Sequence, residues 1–267
     1  MAELRRRVAI VTGVSRNAGI GAAIARRLAA DGVRLLLTGW SAHDAEQSWG
    51  EDPGEAGRLC DELRLAGAQV RYLSLDLTEP DAPERVVRAA AEAYGQVDIL
   101  VANHARSSSQ SLHTLTAAEL DVSFAVNARA TLLLVRSFAE LHVVGTEAGD
   151  GGGGRVVLFT SGQYHGAMSG ELPYIASKAV VQQLTATLAV DLATQRITVN
   201  CVNPGPNDTG YATGDLRRRV EQAMPMGRWG RPDDAARLVA WLVSDEAGWV
   251  TGQTIASDGG WSARGSS

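Results

Sequence analysis

Arg155-Val-Val-Leu-Phe-Thr-Ser161 and Tyr174-Ile-Ala-Ser-Lys178 are the two stretches that decide the fold and the chemistry. The four apolar residues after Arg155 include β-branched and aromatic side chains, which is typical of a buried strand in a parallel sheet. The alanine-rich stretch 174–194 predicts a helix. Residues four apart share a helix face, so Tyr174 and Lys178 are expected side by side, with Ser161 just past the strand end.

A phenol beside an ammonium group makes an acid–base pair. A free tyrosine has a pKa of about 10, and a neighbouring Lys178 ammonium favours the phenolate. We therefore expect the pKa of Tyr174 to be lowered toward the range useful for general acid–base catalysis. Ser161 would hydrogen-bond a substrate carbonyl oxygen and hold it against the Tyr174 hydroxyl. A Tyr-x-x-x-Lys spacing also arises by accident, so this interpretation depends on the rest of the chain.

Composition limits the classes of partner. The chain has 267 residues, 45% of them hydrophobic, and a net charge of −5 without a basic block, which argues against nucleic acid and anionic membranes. Arg5-Arg6-Arg7 precedes an apolar run too short for a signal-peptide core, and no later run is expected to span a bilayer. Cys60 and Cys201 give no disulfide framework. We therefore expect a cytoplasmic protein.

A glycine-rich turn follows the first predicted strand. The apolar run 7–12 ends at Gly13, and Gly19-Ile20-Gly21 leads into a strong helix former at 22–30. Glycines at a strand-to-helix turn let the backbone approach a pyrophosphate, which the helix N-terminus then binds. The pattern predicts a dinucleotide site here.

The second predicted strand, 33–38, bears on the choice of cofactor. In such sites its end carries an acid for the ribose 2′-hydroxyl of NAD or a basic group for the 2′-phosphate of NADP. No carboxylate follows until Asp44, and Arg16 in the glycine-rich loop is the available cation. This favours NADP(H) over NAD(H), unless Arg16 is simply a solvated loop residue.

Strands and helices continue to alternate along the chain. Further strands are predicted at 69–75, 97–102, 197–203 and 252–257, and further helices at 57–67, 81–94, 115–141 and 233–244. This alternation predicts a single domain over 1–267, a Rossmann-type doubly wound parallel sheet of about seven strands with helices on both faces. The site should lie at the carboxyl ends of the strands.

Three connecting regions and one polar helix residue deserve separate interpretation. The segment 207–229 is less regular and predicts a substrate lid over a mostly apolar pocket. The loop 41–57 is longer than such connections usually are, and the glycine-rich stretch 145–154 predicts a surface connection. Asn127 lies in the middle of a predicted helix, where Asn is unfavourable, so it has either a polar task or an exposed position.

Taken together, these motifs resemble the classical short-chain dehydrogenase/reductase family over essentially the whole chain, and within it a branch labelled 3-oxoacyl-acyl-carrier-protein reductase-like. The residues that carry the resemblance are Thr12-Gly13, Gly19-Ile20-Gly21, Asp76-Leu77, Asn103, Asn127, Ser161, Tyr174-x-x-x-Lys178, Pro204-Gly205 and Asp258-Gly259-Gly260.

The resemblance implies a role for each matching position. Tyr174 would be the general acid in reduction, Lys178 would lower its pKa and bind the nicotinamide ribose, Ser161 would orient the carbonyl, and Asn127 would hold a relay water. The implied cofactor contacts are Gly13, Ser15, Arg16, Gly19, Ile20, Gly21, Asp76, Leu77, Asn103, Tyr174, Lys178, Pro204, Gly205, Asn207 and Thr209. Asp76 would meet the adenine, although it could equally cap the next helix.

The chain departs from the family pattern at two places. Five residues, rather than three, separate Gly13 from Gly19, so the contacts of Ser15, Arg16 and Asn17 cannot be copied directly. His104 follows Asn103 where the family has a small residue, and it is either a specificity residue or a packing histidine. His165 is the better candidate for touching substrate. The histidines are scattered, so no catalytic metal is expected.

The leading functional interpretation is an oxidoreductase that transfers a hydride between NADP(H) and a small carbonyl or alcohol substrate. The alternatives are another step on the same scaffold, such as an epimerisation or dehydration, and a non-catalytic dinucleotide-binding regulator. The intact set Asn127, Ser161, Tyr174 and Lys178 argues against the regulator. The resemblance also implies a homo-oligomer, a tetramer, with helices 115–141 and 174–194 and the last strand at its interfaces.

Overall fold

A sheet of parallel strands forms the centre of the computed structural model, which describes residues 4–142, 153–212 and 214–264. Its seven strands follow the order β3-β2-β1-β4-β5-β6-β7. They are β1 (Val8–Thr12), β2 (Arg34–Gly39), β3 (Val70–Ser74), β4 (Ile99–Ala102), β5 (Arg155–Phe159), β6 (Thr198–Asn203) and β7 (Thr254–Ala256). The order reverses between β1 and β4, as in a doubly wound Rossmann-type sheet, so the predicted fold class is confirmed.

Helices cover both faces of the sheet. They are α1 (Ile20–Ala30), α2 (Ala42–Ala45), α3 (Glu55–Leu65), α4 (Ala82–Tyr94), α5 (Ala117–Phe124), α6 (Thr131–Leu141), α7 (Leu172–Leu192), α8 (Gly214–Ala223) and α9 (Pro232–Leu242). Alternate residues of a strand point to opposite faces. Thus Ala9 and Val11 of β1 pack with α1, α3 and α9, whereas Ile10 packs with α4, α6 and α7.

The predicted helix 115–141 is found as α5 and α6, joined by a π-helical turn at Ala125–Ala130. The segment Ala117–Leu141 has 25 residues, and its most apolar 18-residue window has a mean hydropathy of 1.2, enough in length and composition to cross a membrane. The expectation that no run is long enough is therefore too strong. However, 56% of its most apolar window is buried inside the fold, which is typical of a core helix.

The segment 207–229, predicted to be irregular, contains the ten-residue helix α8. None of the residues of α8 is buried, and half of them are charged. Its few apolar residues, Leu216, Val220 and Ala223, share one helix face and line the cavity. Asn207 and Gly230 form an isolated β-bridge that ties the two ends of the segment together. Of the predicted connection 145–154, residues 145–152 lie outside the described residues.

A buried arginine stands at the other end of the sheet, at the start of β5. Arg155 is 2% exposed, and its guanidinium donates to the carbonyls of Gly154 (3.2 Å) and Ser244 (3.4 Å) and to the Asp245 carboxylate (3.4 Å). Burial, together with the charge of Arg7, lowers the pKa of Arg155 to about 10. The Arg155 side chain thus provides a hydrogen-bond donor for two backbone carbonyls, that of Gly154 just before β5 and that of Ser244 just after α9.

Candidate active site

A cavity of about 1330 Å³ opens at the carboxyl ends of the strands. Fourteen of the predicted site residues line it: Gly13, Ser15, Arg16, Gly19, Ile20, Asp76, Leu77, Asn103, Ser161, Tyr174, Pro204, Gly205, Asn207 and Thr209. His165 also lines the cavity, as predicted for a residue near substrate. Gly21, Asn127 and Lys178 are not part of the wall.

The glycine-rich turn is packed directly against the end of β4. Asn103 Nδ2 donates to the carbonyls of Thr12 (3.0 Å) and Gly13 (3.2 Å). Gly13 has φ +72°, and a Cβ there would lie 2.8 Å from Asn103 Nδ2. A Cβ on Gly21 would lie 2.5 Å from the Gly13 oxygen. Only glycine fits at positions 13 and 21. No side chain caps the start of α1, so its first N–H groups are available to an anionic ligand.

Arg16 and Asn17 of the enlarged turn lead in different directions. The Asn17 backbone N–H donates to Glu55 Oε1 (2.6 Å), which anchors Asn17 on α3 and away from the cavity. Arg16 lies on the cavity side, with its guanidinium carbon 4.4 Å from the centroid of the Trp49 ring. Arg16 also donates to the Thr209 carbonyl, so it joins the turn to the segment 207–229. It is therefore not a free, solvated loop residue.

The long loop after β2 supplies site residues that the sequence did not reveal. Trp49 and Asp44 both line the cavity, and the Trp49 indole N–H donates to Asp44 Oδ1 (2.9 Å). Arg106, after β4, donates to Glu46 (3.0 Å) and to Glu119 (3.0 Å), which ties this loop to α5. The loop has no periodic apolar pattern, and only the lone Trp49 in a polar stretch could have pointed to it.

Ser161 and Tyr174 meet at the cavity as predicted. Ser161 lies beyond β5, and Tyr174 is the third residue of α7. Burial raises the pKa of Tyr174, a hydrogen bond with Ser161 opposes that effect, and the negative charge of Glu171 raises the pKa further. The expected lowering by Lys178 is not seen, because desolvation disfavours the phenolate more than its neighbours stabilise it.

The hydrogen bonds of Lys178 help to explain why it does not lower the pKa of Tyr174. Its Nζ donates to the carbonyls of Phe159 (3.0 Å) and His104 (3.3 Å) rather than to the Tyr174 phenol. The side chain is 2% exposed, and burial lowers its pKa to about 8. Lys178 thus holds the ends of β4 and β5 against α7 in this structure.

Asn127 is fully buried in the π-helical turn, so the alternative of an exposed Asn is wrong. Its Nδ2 donates to the Arg106 carbonyl (3.0 Å) and to Ser177 Oγ (2.9 Å), and its Oδ1 accepts the Arg106 N–H (2.7 Å). Both amide hydrogens are therefore used within the protein. Because Ser177 precedes Lys178, Asn127 positions the part of α7 that carries Tyr174 and Lys178.

His104 is a packing histidine. Its Nε2 faces the Val126 carbonyl (3.0 Å), which can only accept, so this nitrogen carries the proton. Its Nδ1 then accepts from the Thr12 hydroxyl (2.7 Å). Burial, followed by the charge of Lys178, lowers the pKa of His104 to about 3. The ring is neutral and satisfied, and it links β1, β4 and the π-helical turn.

The cavity residues fit a nicotinamide dinucleotide. The turn around Gly13 has no room for side chains, and Asn207 Oδ1 is a buried acceptor without a partner within the described chain. Thr38 Oγ1, at the end of β2, is likewise buried and unpartnered there. Both residues line the cavity and could bind polar groups of a ligand. Among the described residues, no group of three or more His, Cys, Asp or Glu could hold a metal ion.

Comparison with known proteins gives a consistent result. The family model described as Enoyl-(Acyl carrier protein) reductase matches residues 13–262. An uncharacterised oxidoreductase of Bacillus subtilis is 37% identical over 97% of this chain and 98% of its own length.

Two solved structures are similar over nearly the whole chain. A short-chain dehydrogenase/reductase from Serratia marcescens has a TM-score of 0.85 and 30% identity over 97% of this chain and 99% of its own. A short-chain dehydrogenase from Burkholderia cenocepacia, in complex with NADP, has a TM-score of 0.84 and 33% identity over 96% and 98% of the two chains. The chain therefore belongs to the short-chain dehydrogenase/reductase family, whose members are oxidoreductases that act on small molecules with a nicotinamide dinucleotide.

Proposed function

We propose that this protein is an NADP(H)-dependent reductase that converts a small or medium-sized ketone or aldehyde into an alcohol. The observation that carries the proposal is the contact between Ser161 and Tyr174 at the wall of a cavity that also reaches the glycine-rich turn. The dinucleotide, when bound, supplies the hydride. The protein residues bind and orient the carbonyl compound and deliver the proton.

The electrostatics of the site favour the reductive direction. Because burial raises the pKa of Tyr174, the phenol remains protonated at neutral pH and can donate to the carbonyl oxygen. Ser161 donates a second hydrogen bond to that oxygen and orients it. Lys178 and Asn127 act as positioning residues through the backbone around α7. The reverse reaction needs the phenolate and is therefore expected to require alkaline pH.

A Tyr174→Phe variant tests this mechanism. Removal of the proton donor should lower kcat by about 10²–10⁴-fold, with NADPH affinity within about twofold of wild type. Unchanged turnover would refute the role of Tyr174. If NADPH binds but no carbonyl compound in a broad panel is reduced, the non-catalytic regulator becomes the better interpretation. An epimerisation or dehydration would instead convert substrate without net NADPH oxidation.

We propose a preference for NADP(H) over NAD(H) because of the position of Arg16. Its guanidinium lies on Trp49 beside the cavity, and guanidinium groups bind phosphate well. Asp44 favours the opposite choice, since a carboxylate in the same region suits the 2′-hydroxyl of NAD(H). The Burkholderia cenocepacia neighbour in complex with NADP supports the first alternative.

Separate titrations with NADPH and NADH, followed by tryptophan fluorescence, distinguish the two cofactors. Arg16→Gln should weaken NADPH binding by about tenfold or more and leave NADH binding within about twofold. Arg58→Gln, at an exposed arginine paired with Asp52, is the matched control and should change neither. If the wild type bound NADH more tightly than NADPH, the adenosine ribose of the cofactor would be assigned to Asp44 and not to Arg16.

We further propose a single domain over 1–267 with its lid at 207–229, a homotetramer, and a cytoplasmic location. Two large side chains that a partner subunit could cover support the assembly: Val190 on α7 is 75% exposed, and Trp249, near β7, is 98% exposed. Light scattering at micromolar concentration should give four times the chain mass. A monomer would contradict the proposed assembly.

A further inference from the structure

An acidic side chain lies beside the proposed catalytic tyrosine. Glu171 immediately precedes α7, three residues before Tyr174, and it lines the cavity in a half-buried position. Its carboxylate has no hydrogen bond or ion pair with any residue of the described chain. Desolvation alone raises the pKa of Glu171. This half-buried carboxylate, at the N-terminal end of α7, is available to a ligand that supplies a countercharge.

The negative charge of Glu171 reaches the place where a substrate carbonyl would lie. It raises the pKa of Tyr174 on one side and of Tyr211 on the other. Every charged or ionisable neighbour that shifts the pKa of these two tyrosines is acidic or phenolic. Beside these two tyrosines, the negative charge of Glu171 therefore favours a cation over an anion.

Aromatic rings line the same part of the cavity. Tyr211 and Trp229 contact each other edge to face, with ring centroids 5.8 Å apart. Trp261, also in the wall, is not available to a ligand, because the Arg264 guanidinium carbon lies 2.9 Å from its ring centroid. Aromatic faces attract ammonium groups, most strongly when the group is partly desolvated.

We propose that the substrate carries a positively charged ammonium group, which Glu171 and the rings of Tyr211 and Trp229 bind while the carbonyl faces Ser161 and Tyr174. The inference rests on the proposed reductase function and specifies its substrate class as amino ketones or amino aldehydes. A bound ammonium group would also neutralise the charge that disfavours the Tyr174 phenolate. Arg264 already lies against the Trp261 ring, so this part of the cavity wall is less suited to a second cation.

Matched substrates test the charge preference directly. Three methyl ketones of equal chain length would end in a tert-butyl, a trimethylammonium or a carboxylate group. The first two are isosteric, so they differ in charge alone. With NADPH and wild-type enzyme, kcat/KM should be about tenfold higher for the trimethylammonium ketone than for the tert-butyl ketone, and lowest for the carboxylate.

Glu171→Gln should reduce the preference for the trimethylammonium ketone to less than about twofold while the tert-butyl ketone is still reduced. Glu221→Gln removes the same charge from an exposed position on α8 outside the cavity, and it should leave the preference unchanged. Equal kcat/KM values for the two isosteric ketones in the wild type, or a preference that persists in Glu171→Gln, would overturn the inference.

Binding measurements separate this inference from the reductase proposal. Choline and its neutral isostere 3,3-dimethylbutan-1-ol would be titrated with tryptophan fluorescence as the signal, because Trp229 lies at the site. Tighter binding of choline that is lost in Glu171→Gln would support the cation site even if none of the ketones were reduced. In that case only the reductase proposal would fail. Equal binding of the two alcohols would overturn the cation site itself.

Discussion

Replacement of Gly21 by alanine tests whether the glycine-rich turn is built on direct backbone contact. Gly21 is the second residue of α1, where alanine would ordinarily be favoured over glycine by up to about 1 kcal/mol. At this position, however, the new Cβ would lie 2.5 Å from the Gly13 carbonyl oxygen and 2.9 Å from Asn103 Nδ2. Contacts this short force the turn and the end of β4 to separate.

The magnitude follows from three opposing contributions. Overpacking of a buried position costs about 1–3 kcal/mol, and the two hydrogen bonds from Asn103 contribute about 1 kcal/mol each and would be weakened. The gain in helix propensity offsets only about 1 kcal/mol. We therefore expect Gly21→Ala to lower the free energy of unfolding by about 2 kcal/mol. For a chain of this length, that corresponds to a fall in Tm of about 4–8 °C.

A second glycine in an early helical turn gives a matched control. Gly57 is the third residue of α3, and a Cβ there would meet nothing within 4 Å. Gly57→Ala should therefore raise the free energy of unfolding by about 0.5–1 kcal/mol, the usual gain in helix propensity. Circular dichroism melting of the two variants and the wild type, at equal protein concentration, measures both effects.

NADPH titration gives a second, independent measurement. Displacement of Gly13 by the new methyl group should weaken NADPH binding at least about tenfold in Gly21→Ala, whereas Gly57→Ala should bind as the wild type does. The reasoning would be refuted if Gly21→Ala were as stable as the wild type and bound NADPH equally well. That result would mean that the turn is loose and that glycine is not required for close approach.

Three further perturbations probe other parts of the structure. Because the pKa of His104 is about 3 in the folded chain and about 6.5 when unfolded, the unfolded state binds more protons between these values, and stability falls as pH drops below about 6.5. His104→Gln should remove about 1.4 kcal/mol per pH unit from that dependence between about pH 5.5 and 4, measured by urea unfolding; an unchanged slope would contradict a buried neutral histidine. Arg155→Met should lower the free energy of unfolding by about 3 kcal/mol in urea, because the carbonyls of Gly154 and Ser244 lose their donor; a loss below about 1 kcal/mol would show that water replaces it. Val190→Glu should lower the mass measured by light scattering, because a charge would disrupt an apolar subunit contact. The Tm of the isolated subunit should change by no more than about 1 °C. An unchanged mass would exclude this face of α7 from the interface.

Local patterns in the chain were sufficient for the fold and for most of the cavity wall. Buried parallel strands are continuous apolar runs, and the glycines of the turn lie between such a strand and a helix, so both are recognisable without any long-range information. The carboxyl ends of parallel strands meet at one edge, which is why Asn103, Ser161 and Asn207 could be assigned to one site although they lie far apart in the chain. The helix α8 was not predicted, because its short apolar face of Leu216, Val220 and Ala223 lies among charged residues and is easily overlooked in the sequence.

The sequence by itself therefore determined the doubly wound sheet, the glycine-rich turn and the meeting of Ser161 with Tyr174, because each depends on short-range periodicity or spacing. Only the tertiary structure decided the protonation preference of Tyr174, the backbone contacts of Lys178 and the packing role of His104. The reason is physical: desolvation and hydrogen-bond geometry depend on all the segments that surround a side chain, and those segments are distant in the chain.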